Sequence, residues 1–423
     1  MGDLSPLQAS RELVALSLSD SPRSPDVEAA LDALQMRSLL TFRLYNRTYR
    51  VWEGSDVDIE AELEQARRKT AGLGLAAILQ QYLPHRPLVA RRHSYEQGAL
   101  RFFAVQYLDA PPSEVPRPGH GADGLLICCL PSTLEQAKAF SSWATSPAVS
   151  AAEHLLVALP QQIGGLREAA AELQALRWVW DNTPALHKDR VARRELAERI
   201  ALVEQSLGRA VEVLLDPRPE PTGAGTLWFY RGHEQSVSSP RAAAQLLSSA
   251  MDWLYPYAPR IKNELINRRA LSCAAAARRN LVERMLLYAK EPLLGMEGYP
   301  PERSMYESVL RASGLHQNSE GSWQFTEPQG ANDPCNLRPS WEQMYSRIFS
   351  AIAEPYPVDQ LFSELEAPPY GVMPGVLPVL LAAFLLTYPD ETSLYKEGVF
   401  VPEPTIADFE VLMRRPELFA VGG

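Results

Sequence analysis

Apolar residues at Val27, Leu31, Leu34 and Leu39 recur at helical spacing and predict a short amphipathic helix over residues 27–40. Two β-rich runs follow, 41–45 and 48–52, separated by Asn46 and Arg47, which is a hairpin signal. Ser55 and Asp58, three residues apart, predict a capped start for a helix reaching residue 69. Helix, hairpin and helix together outline a winged-helix-like unit. The pattern then changes to strands at 88–91, 100–108, 124–130 and 154–159, with a helix at 134–143, which predicts a small mixed or parallel sheet. Helical periodicity from 165 to about 215, broken near Pro184, predicts two antiparallel helices. Residues 216–225, DPRPEPTGAG, read as a linker. Beyond it the pattern predicts a strand at 226–230, helices at 240–254, 265–289, 302–313 and 340–353, and a short strand at 321–326. A nearly uninterrupted apolar helix at 373–387, a hairpin around Lys396, Glu397 and Gly398, and a helix at 406–414 repeat the winged-helix-like outline.

These elements give an α+β, multi-domain chain with winged-helix-like units at both ends and a small α/β sheet and helical segments between. The expected divisions are a flexible lead-in at 1–25, a winged-helix-like unit at 26–70 and an α/β domain at 71–164. A helical hairpin at 165–215, the linker at 216–225, a mainly helical domain at 226–365 and a C-terminal winged-helix-like unit at 366–423 complete the series. A length of 423 residues fits several domains, and an apolar share of 46% provides for their cores.

Net charge changes the picture of partners. A charge of −10 argues against wholesale electrostatic attraction to nucleic acid or anionic membrane, and any nucleic-acid contact must be a local basic patch. Arg greatly outnumbers Lys, and Ala and Pro are plentiful, as in a GC-rich bacterial coding sequence. Cys128, Cys129, Cys273 and Cys335 have no zinc-ligand spacing, and the adjacent Cys128 and Cys129 point to opposite faces of a strand and make a poor disulfide pair, so no metal is expected and a reducing cytoplasm fits. No secretory signal is expected at the N-terminus, and the longest apolar run, 372–386, carries two prolines and is short for a bilayer.

The search for chemistry turns first on an absence. No G-x-x-x-x-G-K-[ST] occurs and no Gly precedes a Lys, so the backbone amides and lysine that grip a triphosphate in a P-loop are missing from this sequence. No catalytic residue and no cofactor is expected. Asp56 and Asp58 resemble the paired carboxylates with which nucleotidyltransferases hold Mg²⁺, but the Gly-Ser that should lie well upstream abuts them instead. A helix N-terminus explains the same residues. Arg91, Arg92 and His93 form a polar cluster that could hold a phosphate, or a solvated hairpin-like turn between strands. Lys262, Arg268, Arg269, Arg278 and Arg279, with Arg260 and Arg284 nearby, surround one predicted helix and could contact nucleic acid or a partner's acidic face; a solvated helix surface is the alternative. The apolar 373–387 helix cannot read a major groove, so the C-terminal unit is expected to pack or bind protein.

Five segments carry a resemblance: 43–56 (RLYNRTYRVWEGSD), 90–95 (ARRHSY), 262–268 (KNELINR), 298–303 (GYPPER) and 368–371 (PPYG). They resemble the region that follows the P-loop domain in large bacterial phage-defence ATPases, similar to those of phage-growth-limitation and bacteriophage-exclusion systems, over most of residues 30–420. The resemblance implies a non-catalytic cytoplasmic module that couples a P-loop domain, on a partner chain or a missing part of the same one, to DNA or to other defence-system proteins, with no membrane partner. The alternatives are a Mg-dependent nucleotidyltransferase-like enzyme using Asp56 and Asp58, and a structural protein-interaction adaptor.

Overall fold

The computed structural model describes residues 9–19, 23–37, 39–43, 47–51, 57–119, 121–161, 163–187, 189–216, 225–267, 272–319, 321–328, 333–350 and 354–423. Ser55, Asp56, Arg268, Arg269 and most of the 216–225 linker lie outside them. The fold is mixed α/β; the described strands form sheets of two, two, four and six strands. Contacts divide the chain into two units, Met1–Leu83 with Ile163–Leu214, and Pro84–Gln162 with Leu215–Gly423.

In the first unit the expected 41–52 hairpin forms as Leu40–Arg43 and Thr48–Val51, paired antiparallel. Part of the expected loose lead-in is ordered: Arg11–Ser19 is a helix with Ala15 buried. Its Arg11 guanidinium donates to the Tyr49 hydroxyl at 2.7 Å and to Asp32 at 2.8 Å. The helix Ile59–Thr70 starts at Asp58, whose carboxylate accepts from the Ala61 amide at 3.0 Å. That is the capping role, satisfying an amide the helix leaves open. Ile59–Thr70 packs on Leu166–Asn182, which packs on Arg190–Leu214. Arg199 is buried where these three meet, and donates to Glu60 at 2.6 Å and Glu172 at 2.7 Å. The two stretches of chain are therefore bonded through a shared cation as well as through apolar contact.

In the second unit six strands lie side by side in chain order: Leu88–Val89, Phe102–Leu108, Gly124–Cys129, Leu155–Pro160, Thr226–Tyr230 and His233–Gln235. The pairings among Phe102–Leu108, Gly124–Cys129 and Leu155–Pro160 are parallel and the others antiparallel. Gly124–Cys129 and Leu155–Pro160 are buried at every position, the pattern of parallel strands covered on both faces. The helix Leu134–Ala144, capped by Thr133, lies in the crossover between them. Between the neighbouring strands Leu155–Pro160 and Thr226–Tyr230 the chain leaves to supply the helical pair of the first unit.

The rest of the second unit is built around Leu377–Thr387. This helix is apolar nearly all round, and every residue from Leu377 to Phe384 is buried. A helix with no polar face has no stable place except inside a core. Trp341, Phe384 and Tyr388 cluster there with ring centroids 4.9–6.3 Å apart. An antiparallel sheet, in the order Tyr356–Pro357, Phe419–Gly422, Ser393–Lys396, Val399–Val401, joins the same core through Leu394, Phe419 and Val421. The outer two of those strands in the sequence, Tyr356–Pro357 and Phe419–Gly422, are too short to carry a period of their own.

One expectation is corrected here. Residues 91–95 are not a turn between strands but part of a helix, Arg91–Gln97, ended by Gly98 in the left-handed region at φ 76°. Of the expected 265–289 helix, Glu264–Asn267 and Ser272–Leu287 are helical, and the residues between them lie outside those described. Asn263 starts the first by accepting from the amides of Leu265 and Ile266. The expected 302–313 helix forms as Pro301–Met305 and continues without a break into π-helical Tyr306–Arg311.

Phe384→Ala should cost about 3–5 kcal/mol of stability, because a fully buried aromatic leaves a cavity its neighbours cannot close. Urea unfolding would measure this, and a loss below about 1 kcal/mol would mean that the apolar helix is not the centre of this core.

Candidate functional site

Within the second unit a cavity of about 830 Å³ brings together Arg92, Glu96, Asp252, Tyr255, Arg260 and Lys262, with Ser308 and Cys335 on its far wall. Two of the cations proposed from sequence, Arg92 and Lys262, thus meet at one place although 170 residues separate them in the chain. Helical spacing on Arg91–Gln97 sets Arg92 and Glu96 one turn apart, with a bond of 2.7 Å, and turns His93 inward, where it is fully buried. Arg260 and Lys262 arrive on an extended segment after the helix Pro240–Leu254. Along it exposure alternates: Arg260 and Lys262 face solvent, Ile261 and Asn263 the interior. The Ile261 amide donates to the Gln97 carbonyl at 3.0 Å and the Arg260 amide to the Cys335 carbonyl at 2.7 Å, which fixes the segment against both walls.

The side chains differ in how their charge is met. Arg92 is paired twice, with Glu96 and with Asp252. Lys262 rests its ammonium 4.9 Å from the centre of the exposed Tyr95 ring. Arg260 has no carboxylate partner among the described residues. Asp252 holds Arg92 with one oxygen and His93 Nδ1, at 2.8 Å, with the other. A carboxylate only accepts, so Nδ1 carries the proton and Nε2 is left as a lone pair; Nε2 is buried and meets no donor among the described residues. Burial pushes the imidazole below its ordinary value, and outweighs the opposing pull of Asp252.

Behind the cavity wall, Arg101 and Asp123 form a buried ion pair at 2.7 Å. Arg101 also donates to the Gly371 carbonyl and lies 4.2 Å from the Tyr255 ring centre. The Tyr255 hydroxyl donates to Asp123 at 3.4 Å, and the other Asp123 oxygen accepts from the Phe102 amide. Neither Arg101 nor Asp252 was singled out from sequence. The signal for Asp252 was present, as a lone acid among the apolar residues of 250–255.

The remaining predicted residues disperse. Arg91 is exposed beside the site. Arg279 pairs with Glu410, and Arg278 turns toward a different pocket. Arg268 and Arg269 lie outside the described residues; of the other three, Lys262, Arg278 and Arg279 each face different surroundings. His93 is a buried structural anchor, not a surface phosphate contact. Chemically the cavity is equipped to hold an anion. Burial pushes the Cys335 thiol up to about 11, so it is not a thiolate at neutral pH, and the described residues contain no group of His, Cys, Asp and Glu able to hold a metal.

His93 and His316 both have values pushed down by burial, and so are neutral when folded. On unfolding they take up protons near the ordinary imidazole value, about 6.5. The unfolded state then binds more protons, so this share of stability is complete above that value and is lost as pH falls through the folded-state values. Urea midpoints should be lower at pH 5.5 than at pH 7.5, with a smaller drop in His93→Asn. Equal wild-type midpoints at the two pH values would contradict the assignment.

No family model matches this sequence, and neither a curated protein nor a solved structure matches it.

Proposed function

We propose that this chain is a non-catalytic module of a bacterial antiviral-defence ATPase. It couples nucleotide-driven work in a P-loop domain or partner chain to DNA or to other proteins of the system, and works in the cytoplasm. The five resembling segments support the family assignment, and the absence of a P-loop lysine from the sequence supports the division of labour. Helix–hairpin–helix outlines at 26–70 and 366–423 fit winged-helix-like units. The second is built on a buried apolar helix and so serves packing or protein contact. Free cysteines fit a reducing compartment. No described helix is long and apolar enough to cross a membrane.

One observation carries the choice of contact site. Arg260 and Lys262 project from the same side of one segment at the mouth of a cavity, with no carboxylate paired to either among the described residues. Phosphates of a nucleic-acid backbone supply the missing negative charge. Tyr95, exposed beside Lys262, adds an aromatic face on which a base stacks.

Gel-shift titrations against salt test this. Wild-type affinity for DNA should fall with salt, and the Arg260→Ala/Lys262→Ala double variant should lower the slope of log K against log salt by roughly 1.4–1.8, two phosphate contacts' worth. An unchanged slope would remove these residues from the interface. No shift of any nucleic acid at low salt would leave the protein-interaction adaptor as the better account.

A further inference from the structure

We infer that a second pocket of this unit, beside Arg278, is a binding site for phosphate, free or as a small monoester. The pocket has a volume of about 360 Å³ and is lined by Asn267, Arg278, Glu366, Gly375, Leu412 and Pro416, among others. Its size lies at the small end of ligand sites.

Arg278 is the unusual member of its helix. Arg279 pairs with Glu410, and Arg284 donates to the Gly295 carbonyl at 3.2 Å and faces Glu302 at 3.9 Å. Arg278 is partly buried, yet no carboxylate pairs with it among the described residues, Glu366 included. Its Nε is closed off from solvent and bonds nothing. A guanidinium does not escape this by losing its proton at neutral pH, so an unmatched charge and an unmet donor persist. Burial alone pushes its value down, with no opposing acid. An oxyanion in the pocket supplies the missing negative charge.

The wall opposite is bare backbone. A Cβ on Gly375 would stand 3.1 Å from Arg278 Nη1 and 2.0 Å from the Ile266 carbonyl oxygen. The main chain therefore presses close without a side chain to screen the cation. One acceptor shares the lining: Asn267 Nδ2 is taken up by the carbonyls of Gly98 and Ile261, which leaves its Oδ1. An acceptor beside a cation suits an oxyanion that still carries a proton. Phosphate and its monoesters do so near neutral pH, and sulfate does not.

Thermal unfolding in matched ionic strength, with inorganic phosphate, glycerol phosphate or sulfate, tests this. Phosphate should raise the wild-type Tm more than sulfate, and Arg278→Met should abolish the rise while matching or exceeding the wild type in phosphate-free buffer. Glycerol phosphate acting where inorganic phosphate does not would identify a monoester as the ligand. The rise should persist in Arg260→Ala/Lys262→Ala, which separates this site from the nucleic-acid interface. Should Arg278→Met not fold, Arg278→Lys, which keeps charge but loses the fork, should weaken phosphate binding at least tenfold in equilibrium dialysis. Neither phosphate raising the wild-type Tm, or an equal rise in the Arg278 variant, overturns the site. An equal response to sulfate overturns the proton-accepting role of its lining.

Discussion

The buried pair of Arg101 and Asp123 is the interaction on which the second unit's site depends. Arg101 precedes the strand Phe102–Leu108, and Asp123 precedes its parallel neighbour Gly124–Cys129. The pair therefore ties the starts of two strands, and through Arg101 it also holds Tyr255 and the Gly371 carbonyl. Burying such a pair is weak as a source of stability, because desolvation offsets most of the attraction. Its value is positional. Removing one partner strands the other charge, so alternatives to this arrangement are strongly disfavoured.

Asp252 repeats this logic at the surface. One carboxylate orients an exposed arginine and a buried histidine, and so converts a helix position into a fixed cation at the cavity mouth. The cavity's polarity is thus set by residues from four separate segments, none of which carries a motif by itself. That is consistent with a chain in which no P-loop or other nucleotide motif is found.

Much of the element pattern was legible. The strand Thr226–Tyr230 and the helix Pro240–Leu254 fall where periodicity puts them, because each has a clean apolar face and a clear boundary, Ser239 capping the second. Failures trace to local geometry that periodicity does not encode. Arg91–Gln97 has too few apolar residues to show a helical stripe, and its left-handed glycine was its clearest mark. The first unit joins Ile59–Thr70 to Leu166–Asn182 across a hundred residues, and nothing in a chain-order reading signals that return. Of the site, Arg92 and Lys262 were visible as charges, but their meeting was not. Pairing across long separation depends on backbone contacts such as Ile261 to Gln97.

Gly98 has a further consequence. It sits in a left-handed conformation with the Ile261 carbonyl so near that a Cβ would come within 2.2 Å of its oxygen, and a single amide, Asn267 Nδ2, spans both the Gly98 and Ile261 carbonyls. The helix bearing Arg92 and the segment bearing Arg260 and Lys262 are therefore preorganised as one rigid lip. Little backbone entropy is left to lose when a ligand arrives, so only side-chain rotamers need ordering. A lip of that kind discriminates by how long a bound anion stays, while the rate of its capture is left to diffusion and the ionic atmosphere.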